Sequence, residues 1–296
     1  MQQKPHRPAG GIRRAGLAVL LAALALLCCF PGLFGEGRAR PPDLEAPDAG
    51  QSVGAVYFFD VGQGDAALLY SKGEYVLIDG GPELAEDTLT ASLEALGVER
   101  LRAVIATHPH EDHIGGLDRV LTRFPADAIY MPDRDATSVC FERILDAAEA
   151  QGLPITIPTP GDTLSFGSGR LEFLSPAPAC GYESTNDFSI VTRLVLGQLE
   201  VLFMGDAERP VERDLLHSGF DLHCDVIKLG HHGSSSSSSE AFLRAASPRR
   251  AVISCAKEND YGHPDGETLE TLSRLGIDYQ CTYDGTILLR SPEDAA

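Results

Sequence analysis

LRAVIATHPHEDHIGG, residues 101–116, joins an apolar strand to three histidines and two carboxylates. His108 and His110 stand two positions apart after the strand, so both can point to the same side of an extended backbone. Asp112 and His113 follow where we expect a helix to begin. Imidazoles suit zinc, and carboxylates also accept manganese or iron. The spacing indicates a metal site, with His108 and His110 on one ion and Asp112 and His113 on a second. An ordinary solvent-exposed polar loop would not explain why histidines stand two positions apart with Asp-His behind them.

Two later strand ends offer the further ligands that two ions require. Asp206 ends the apolar segment VLFMGD, where a buried carboxylate is costly unless it is paired. It is therefore a candidate bridge between two ions, although a carboxylate that caps the next helix has the same position. His231 and His232 follow another strand, in KLGHHGS. We expect one of them to bind the second ion and the other to face the substrate, and the sequence leaves open which does which.

Several further polar residues are weaker candidates for the site. Asp60, Asp65 and Asp79 lie in Gly-containing turns, where they can orient ligand histidines or simply cap the turns. Further candidates are Asn186, Asp187, His263 and Lys228. The first three could instead be ordinary turn residues, and Lys228 could be an ordinary lysine of an edge strand. Lys228 alternates with an apolar residue in a predicted strand, so it is a candidate buried cation for an anionic substrate.

The pattern along the chain predicts a layered α/β sandwich of two sheets. Short apolar strands at 56–60, 66–70 and 75–79 form a meander, and strands then alternate with predicted helices near 84–96, 113–123 and 138–150. A hairpin turns at Gly197 and Gln198, and three strand–helix or strand–strand units follow. We expect the serine run 234–239 to be a flexible loop whose end caps a helix beginning at Glu240.

The charge is strongly acidic. The chain has 43 acidic and 24 basic residues, a net charge of −19. Residues 1–40 carry six Lys or Arg and one Glu, which leaves 18 basic against 42 acidic residues in 41–296, a net of −24. Such a surface disfavours non-specific binding of nucleic acid, so chemistry on phosphates needs cations that are supplied locally.

The N-terminus has the polarity of an export signal. An apolar run at 15–34 follows a basic segment, and its length is close to that of a bilayer span. We therefore predict a signal anchor or signal peptide at 1–35, a Pro-rich linker at 36–52 and a hydrolase domain at 53–296. The positive-inside rule places the domain outside the cytoplasm, either membrane-anchored or secreted. No obligate protein partner is evident.

Six motifs, taken in order, resemble a known family: FFDVGQGDA, LIDGG, THPHEDHIGG, FMGD, VIKLGHHGSSSSS and YGHP. Together they resemble the metallo-β-lactamase superfamily, and within it the C-terminal hydrolase domain of ComEC-type competence (DNA-uptake) proteins. The resemblance spans about 56–290. It implies a four-layer αββα sandwich and two divalent ions, zinc or manganese. The ligands it implies are His108, His110, Asp112, His113, Asp206 and one of His231 and His232.

The chain departs from this pattern at one ligand. Many superfamily members have a further histidine between the first motif and the bridging Asp, but no histidine lies between His113 and His217. Asp187 or Asn186 stands about where that ligand would come. One apolar segment, in place of many membrane spans, precedes the domain, so we do not expect this chain alone to import DNA.

Metal-assisted hydrolysis is the expected chemistry, through a hydroxide held between the two ions. We expect Asp112, His232 and His263 to be catalytic, with His263 and the free histidine of the pair protonating the leaving group. The resemblance favours a phosphodiesterase or DNase. The acidic surface opposes DNA binding unless a basic strip lies around Lys228, with Arg244, Arg249 and Arg250. The alternatives are a hydrolase of a small phosphoester, such as phosphorylcholine on cell-wall polymers, or of a lactone, and a non-catalytic binding module.

Overall fold

The computed structural model describes residues 44, 45, 47, 52–178 and 180–292. Its strands are β1 (Ser52–Phe58), β2 (Ala67–Ser71), β3 (Glu74–Ile78), β4 (Ala103–Ile105), β5 (Ile129–Tyr130), β6 (Ile155–Thr156), β7 (Thr163–Phe166), β8 (Gly169–Ser175), β9 (Val191–Leu196), β10 (Leu199–Phe203), β11 (Val226–Lys228), β12 (Arg250–Ile253), β13 (Asp278–Cys281) and β14 (Ile287–Pro292). Its α-helices are α1 (Glu86–Ala95), α2 (Glu111–Ile114), α3 (Leu117–Arg123), α4 (Val139–Gln151), α5 (Arg209–Ser218), α6 (Glu240–Ala246) and α7 (Gly266–Leu275).

Two mixed sheets of similar design pack together. Within the described residues, the first has the strand order β14-β1-β2-β3-β4-β5-β6 and the second β13-β12-β11-β10-β9-β8-β7. In each sheet an antiparallel meander leads into parallel strands, from β3 to β6 in the first and from β10 to β13 in the second. The parallel strands are joined by crossover connections that contain helices, which cover the outer faces.

The apolar side chains divide into three layers. One lies between the sheets, where the rings of Phe58 and Phe203 stack with centroids 5.6 Å apart. A second lies between the first sheet and helices α1, α3 and α4, and a third between the second sheet and helices α5, α6 and α7. Both faces of each sheet are therefore buried, which explains why strands such as β1 read as continuous apolar runs. The predicted αββα sandwich is confirmed.

Local differences from the predicted elements have physical causes. The helix expected at 113–123 is broken into α2 and α3 at Gly115 and Gly116, where the chain runs against the backbone of 80–83. A Cβ on Gly116 would lie 2.5 Å from the carbonyl oxygen of Gly80. Strand β7 was not predicted, because its four residues alternate between buried and exposed over too short a span.

The serine run 234–239 is bound into the fold, so the expectation of a flexible loop is wrong. Ser236 Oγ donates to Glu208 Oε1 at 2.8 Å, and Ser237 Oγ donates to the carbonyl oxygen of Gly230 at 2.7 Å. The buried carboxylate of Glu212 accepts the backbone N–H of Ser239 at 3.0 Å and also that of Ser238. The predicted cap is confirmed, since Ser239 Oγ accepts the backbone N–H of Phe242 at 3.3 Å.

The N-terminal predictions fall mostly outside the described residues. The signal segment 1–35 lies there entirely. In the predicted linker, Leu44 packs against the apolar layer between the first sheet and its helices. The carbonyl of Glu45 accepts a hydrogen bond from the Tyr57 hydroxyl at 2.8 Å. The end of the linker thus contacts the domain, and β1 begins at Ser52. Over the described part of the chain, no helix has the length and apolar character needed to cross a membrane.

Candidate metal centre

The matching strand orders of the two sheets bring the polar motifs to one place. Asp79 follows β3, residues 107–113 follow β4, Asp206 follows β10 and His231–His232 follow β11. The carboxyl ends of parallel strands meet at one edge of a sheet, where loops are free to carry functional groups. Because the two sheets pack face to face, the ends of β3 and β4 lie close to those of β10 and β11.

One donor set lies deepest. His113 Nε2 is 3.2 Å from Asp206 Oδ1 and 3.4 Å from His232 Nε2. His232 Nε2 is in turn 3.1 Å from Asp112 Oδ2. Both histidines and Asp206 are almost fully buried. We call His113, His232, Asp112 and Asp206 the inner donor set.

Hydrogen bonds fix the tautomers of the inner histidines. His232 Nδ1 donates to the carbonyl oxygen of Ser254 at 2.8 Å, and His113 Nδ1 pairs with Asp79 Oδ2 at 2.8 Å. Asp79 also accepts the N–H and hydroxyl of Thr107, each at 2.8 Å. These contacts present each Nε2 to the centre as a donor for a metal. The predicted role of Asp79 in orienting a histidine matches this geometry.

A second set lies beside it. His108 Nε2 is 3.0 Å from His110 Nδ1 and 3.7 Å from Asp206 Oδ2. The other ring nitrogen of His108 contacts Thr107 Oγ1 at 3.2 Å and Ser189 Oγ at 3.4 Å. We call His108, His110 and Asp206 the outer donor set.

The donors fit two divalent cations that share Asp206. Its Oδ1 faces the inner set, where the buried oxygen has no hydrogen-bond partner among the described atoms. Its Oδ2 lies between the sets, 3.5 Å from His232 Nε2 and 3.7 Å from His108 Nε2. Ring nitrogens also approach one another in both sets, at 3.0 Å between His108 and His110 and at 3.4 Å between His113 and His232. Two groups of residues, Asp65, His113, Asp206 and His232 on one side and His108, His110 and Asp206 on the other, place their ligand atoms within 4.8 Å of one another. Such convergence of imidazole and carboxylate suits zinc, manganese or iron.

In the absence of a metal, the carboxylates around the two inner histidines favour the protonated forms of their rings. Burial alone would lower the pKa of His113, but the carboxylates of Asp206 and Asp79 raise it well above its usual value. Asp206 and Asp112 likewise raise the pKa of His232 against the effect of burial. Burial would raise the pKa of Asp206, yet the charges of the two histidines hold it well below its usual range. An ion that binds here must therefore displace protons.

The outer histidines have the opposite electrostatics. Burial and the neighbouring His113 hold the pKa of His108 well below its usual value. Burial also lowers the pKa of His110. Both rings are thus neutral at physiological pH and present lone pairs without losing a proton.

His231 and His232 have different places despite being adjacent. Both adopt left-handed backbone conformations, with φ of 47° and 54°, and their rings are turned 65° apart. The His231 side chain is 25% exposed, and its Nδ1 is 2.9 Å from Glu208 Oε1 and 3.1 Å from Ser236 Oγ. The structure therefore assigns His232 to the inner donor set and turns His231 towards the cleft.

Of the two residues expected near the position of the missing histidine, Asn186 faces the cleft. Its side-chain oxygen is buried without a hydrogen-bond partner among the described atoms, and its nitrogen lies 3.4 Å from the His231 ring. Asn186 lines the cleft together with His110 and Asp206. Asp187 points elsewhere, because its Oδ1 accepts the backbone N–H of Glu208 at 3.0 Å.

Lys228 does not face a substrate, and that part of the prediction is wrong. It is 3% exposed, and its ammonium lies 2.6 Å from Asp65 Oδ2. Asp65 Oδ1 is 3.3 Å from His232 Nδ1, so the Lys228–Asp65 ion pair contacts a histidine of the inner donor set. Arg244 on α6 is engaged with Glu240, and Arg249 and Arg250 lie at the start of β12. A basic strip through Lys228 is therefore absent from the described surface.

A cleft of about 900 Å³ opens above the centre. Its walls include His110, Asp112, His231, His232 and His263, as well as Asp60. The carboxylate of Asp60 accepts the N–H of Gly62 at 3.2 Å and so caps its own turn instead of orienting a histidine. The ring of His263 lies 5.4 Å from that of His231, and burial lowers its pKa.

Sequence reasoning missed several residues that organise the centre. Glu208 holds His231, the carbonyl of Ser254 holds His232, and Thr107 and Ser189 contact His108. Glu208 stands two residues after Asp206, and Ser254 directly follows β12, as the other motifs follow their strands. These residues could therefore have been predicted from the polar residues that follow the other strands.

A family comparison agrees with this geometry. The model of the metallo-beta-lactamase superfamily matches residues 59–257. The chain belongs to the metallo-β-lactamase superfamily. The matched segment contains every residue of both donor sets. The chain is thus a member of a superfamily of metal-dependent hydrolases, with a candidate multi-residue metal site.

Competence proteins are among its relatives. ComE operon protein 3 of Bacillus subtilis is 31% identical over 258 residues, which cover 81% of this chain and 33% of the relative. Competence protein ComA of Neisseria gonorrhoeae is 33% identical over 274 residues, covering 88% and 36%. Recombination protein 2 of Haemophilus influenzae is 28% identical over 257 residues, covering 84% and 29%. The chain spans about a third of the length of these relatives.

Solved structures support the fold. YhfI, a metallo-beta-lactamase fold protein of Bacillus subtilis, superposes with a TM-score of 0.57 at 15% identity, covering 80% of this chain and 100% of that one. CmlA, a diiron β-hydroxylase of Streptomyces venezuelae, gives 0.54 at 16% identity, covering 81% and 54%. At these identities the likeness concerns the fold alone.

Proposed function

We propose that the chain is a phosphodiesterase that uses two divalent cations and acts on DNA. The observation that carries this proposal is the pair of donor sets that share Asp206, whose carboxylate lies 3.2 Å from His113 Nε2, 3.5 Å from His232 Nε2 and 3.7 Å from His108 Nε2. When bound, two such ions would polarise a phosphoryl oxygen and lower the pKa of a bound water molecule, so that hydroxide is available at neutral pH.

The remaining polar groups of the cleft supply proton transfer. His231 faces the centre, with Nε2 4.0 Å from Asp206 Oδ2, while Nδ1 pairs with Glu208. This is the arrangement of a general acid, because the carboxylate orients the ring towards the centre. His231 would protonate the leaving oxygen, and His263, whose ring is 5.4 Å away, would contact the phosphoryl group. His232, expected among both the ligands and the catalytic residues, serves as a ligand in this proposal.

DNA is the proposed substrate because the similar proteins include a ComE operon protein, a competence protein and a recombination protein. A specific observation favours a second candidate, a small phosphoester. Among the described residues that line the cleft, none is Lys or Arg, so nothing there attracts a long run of phosphates.

Turnover assays separate the candidates. The purified chain, loaded with Zn²⁺ or Mn²⁺, is assayed on single-stranded DNA, bis-p-nitrophenyl phosphate and p-nitrophenyl phosphorylcholine. Cleavage of DNA supports the phosphodiesterase, and cleavage of phosphorylcholine alone supports the small-ester hydrolase. Full loading with two ions and no cleavage of any phosphoester contradicts both.

We further propose that the domain is exported and is either anchored by residues 15–34 or secreted. The basic residues before this apolar run support that orientation. Protease added to intact cells should degrade the domain if it is anchored outside the cytoplasm, whereas protection until lysis would contradict export.

A further inference from the structure

Two exposed apolar side chains line the cleft. Leu84 is 98% exposed and Tyr261 is 69% exposed, and both belong to the lining that includes the candidate ligands. Other exposed apolar residues, such as Val139 and Tyr279, lie away from it. Leu84 comes from the N-terminal half of the fold and Tyr261 from the C-terminal half. An apolar contact at the mouth of a polar site is a feature of ligand recognition.

Tyr261 is held in place before any ligand arrives. The side-chain oxygen of Asn259 accepts the backbone N–H groups of Tyr261 and His263, at 3.2 and 3.0 Å. The side-chain nitrogen of Asn259 donates to the carbonyls of Ala256 and His263, at 2.9 and 2.7 Å. The tyrosine ring stacks on that of His263, with centroids 5.7 Å apart and planes 20° from parallel. The outer face of Tyr261 is thus a fixed aromatic surface beside a residue of the centre.

Leu84 is tied to the metal motif in a similar way. It lies in the 3-10 turn of residues 83–85, where the N–H of Glu83 donates to Glu111 Oε1 at 2.7 Å. Glu111 precedes Asp112 in α2. The carboxylate of Glu83 also pairs with Arg143 at 2.8 Å, which anchors the turn to α4.

The charges around Tyr261 exclude recognition through a run of phosphates. A neighbouring cavity of about 700 Å³ shares Tyr261 and His263 with the cleft. Its described lining contains one cation, Lys257, against two carboxylates, Glu258 and Asp260. In the proposed function, the metal ions of the centre contact the scissile phosphate. The side chains of the cleft can therefore add affinity mainly by contacting the planar, apolar part of a substrate.

We propose that Tyr261 stacks a nucleobase adjacent to the scissile phosphate, with Leu84 packing against the same nucleotide, so that the enzyme selects single-stranded DNA. This inference rests on the proposed phosphodiesterase function. A paired base in a duplex has both faces covered by its neighbours and cannot stack on the tyrosine, whereas a base in a single strand can. Few phosphates are neutralised by the cleft, so binding should depend only weakly on salt.

The test compares an oligodeoxynucleotide with one that carries abasic residues around the cleaved position. For the normal strand we expect Tyr261→Ala to raise KM about ten-fold or more with a smaller effect on kcat, and Tyr261→Phe to stay near wild type. For the abasic strand, wild type and Tyr261→Ala should have the same KM. Tyr279→Ala, an exposed tyrosine on β13 outside the cleft, is the matched control and should change neither value.

Binding measured by fluorescence anisotropy separates failure of this inference from failure of the proposed function. Tighter binding of the normal than of the abasic strand, lost in Tyr261→Ala, supports the stacking site even where the wild type cleaves no DNA. Equal binding of the two strands, or a Tyr261→Ala variant that binds and cleaves like wild type, overturns it. A duplex bound and cleaved as well as the single strand also overturns it.

Discussion

His231 and His232 are neighbours in the chain with separate tasks in the site. Two consecutive left-handed residues turn the backbone so that one ring enters the inner donor set and the other reaches Glu208. No side-chain period in the sequence encodes this, because left-handed conformations of residues other than glycine are uncommon and are imposed by the surrounding fold.

Replacing each histidine in turn separates the two tasks. His232→Ala should lose one of the two bound ions and nearly all turnover. His231→Ala should keep both ions and lower kcat about 10²- to 10⁴-fold, the range for loss of a general acid. Metal content and steady-state kinetics of the two variants check this. Loss of an ion in His231→Ala, with His232→Ala fully loaded, would reverse the assignment.

Lys228 and Asp65 form a buried ion pair whose disruption should be costly. Lys228→Met leaves a charged carboxylate in the interior, so we expect the free energy of unfolding to fall by about 3–5 kcal/mol. The double variant Asp65→Asn/Lys228→Met removes both charges and should recover part of that loss. Urea unfolding measures both values. A double variant less stable than Lys228→Met would show that the pair does not act as proposed.

At the scale of elements, α6 depends on the cap supplied by Ser239. Ser239→Ala removes the acceptor for the Phe242 N–H and should lower the free energy of unfolding by about 1 kcal/mol. Ser273→Ala on the exposed side of α7 is the matched control and should be neutral or slightly stabilising. Thermal or urea unfolding distinguishes them, and equal effects of the two substitutions would exclude the cap as the cause.

The sequence predicted the strand ends and the polar residues that follow them better than the segments between them. His108, His110 and Asp206 could be placed because they directly follow apolar strands, whose period and burial are local properties. The serine run could not, because its order comes from distant carboxylates, above all Glu212. Lys228 was misread for the same reason, since its partner Asp65 is far away in the chain and close only after the sheets pack.

At the scale of the whole molecule, the centre exists only when both halves are assembled. Asp79 and residues 107–113 come from the first sheet, and Asp206 and His232 come from the second. A metal bound at Asp206 therefore links the sheets, and metal binding should add to the stability of the entire fold.

This linkage should depend on pH. His113 and His232 have raised pKa values in the metal-free protein, so the stability they contribute is complete below their unfolded pKa and is lost as the pH rises through the folded values. Metal binding requires their neutral forms. We therefore expect the increase in Tm on adding Zn²⁺ or Mn²⁺ to grow from about pH 6 to about pH 8. Thermal unfolding across this range checks it, and an increase independent of pH would contradict the proton displacement.

The number of divalent ions bound per chain tests the central claim most directly. Elemental analysis of the protein after equilibration with Mn²⁺ or Zn²⁺ should find two ions per chain in the wild type, and fewer in Asp206→Ala, whose two donor sets lose their shared carboxylate. One ion or none in the wild type, or two ions retained in Asp206→Ala, would contradict a dinuclear centre bridged by Asp206.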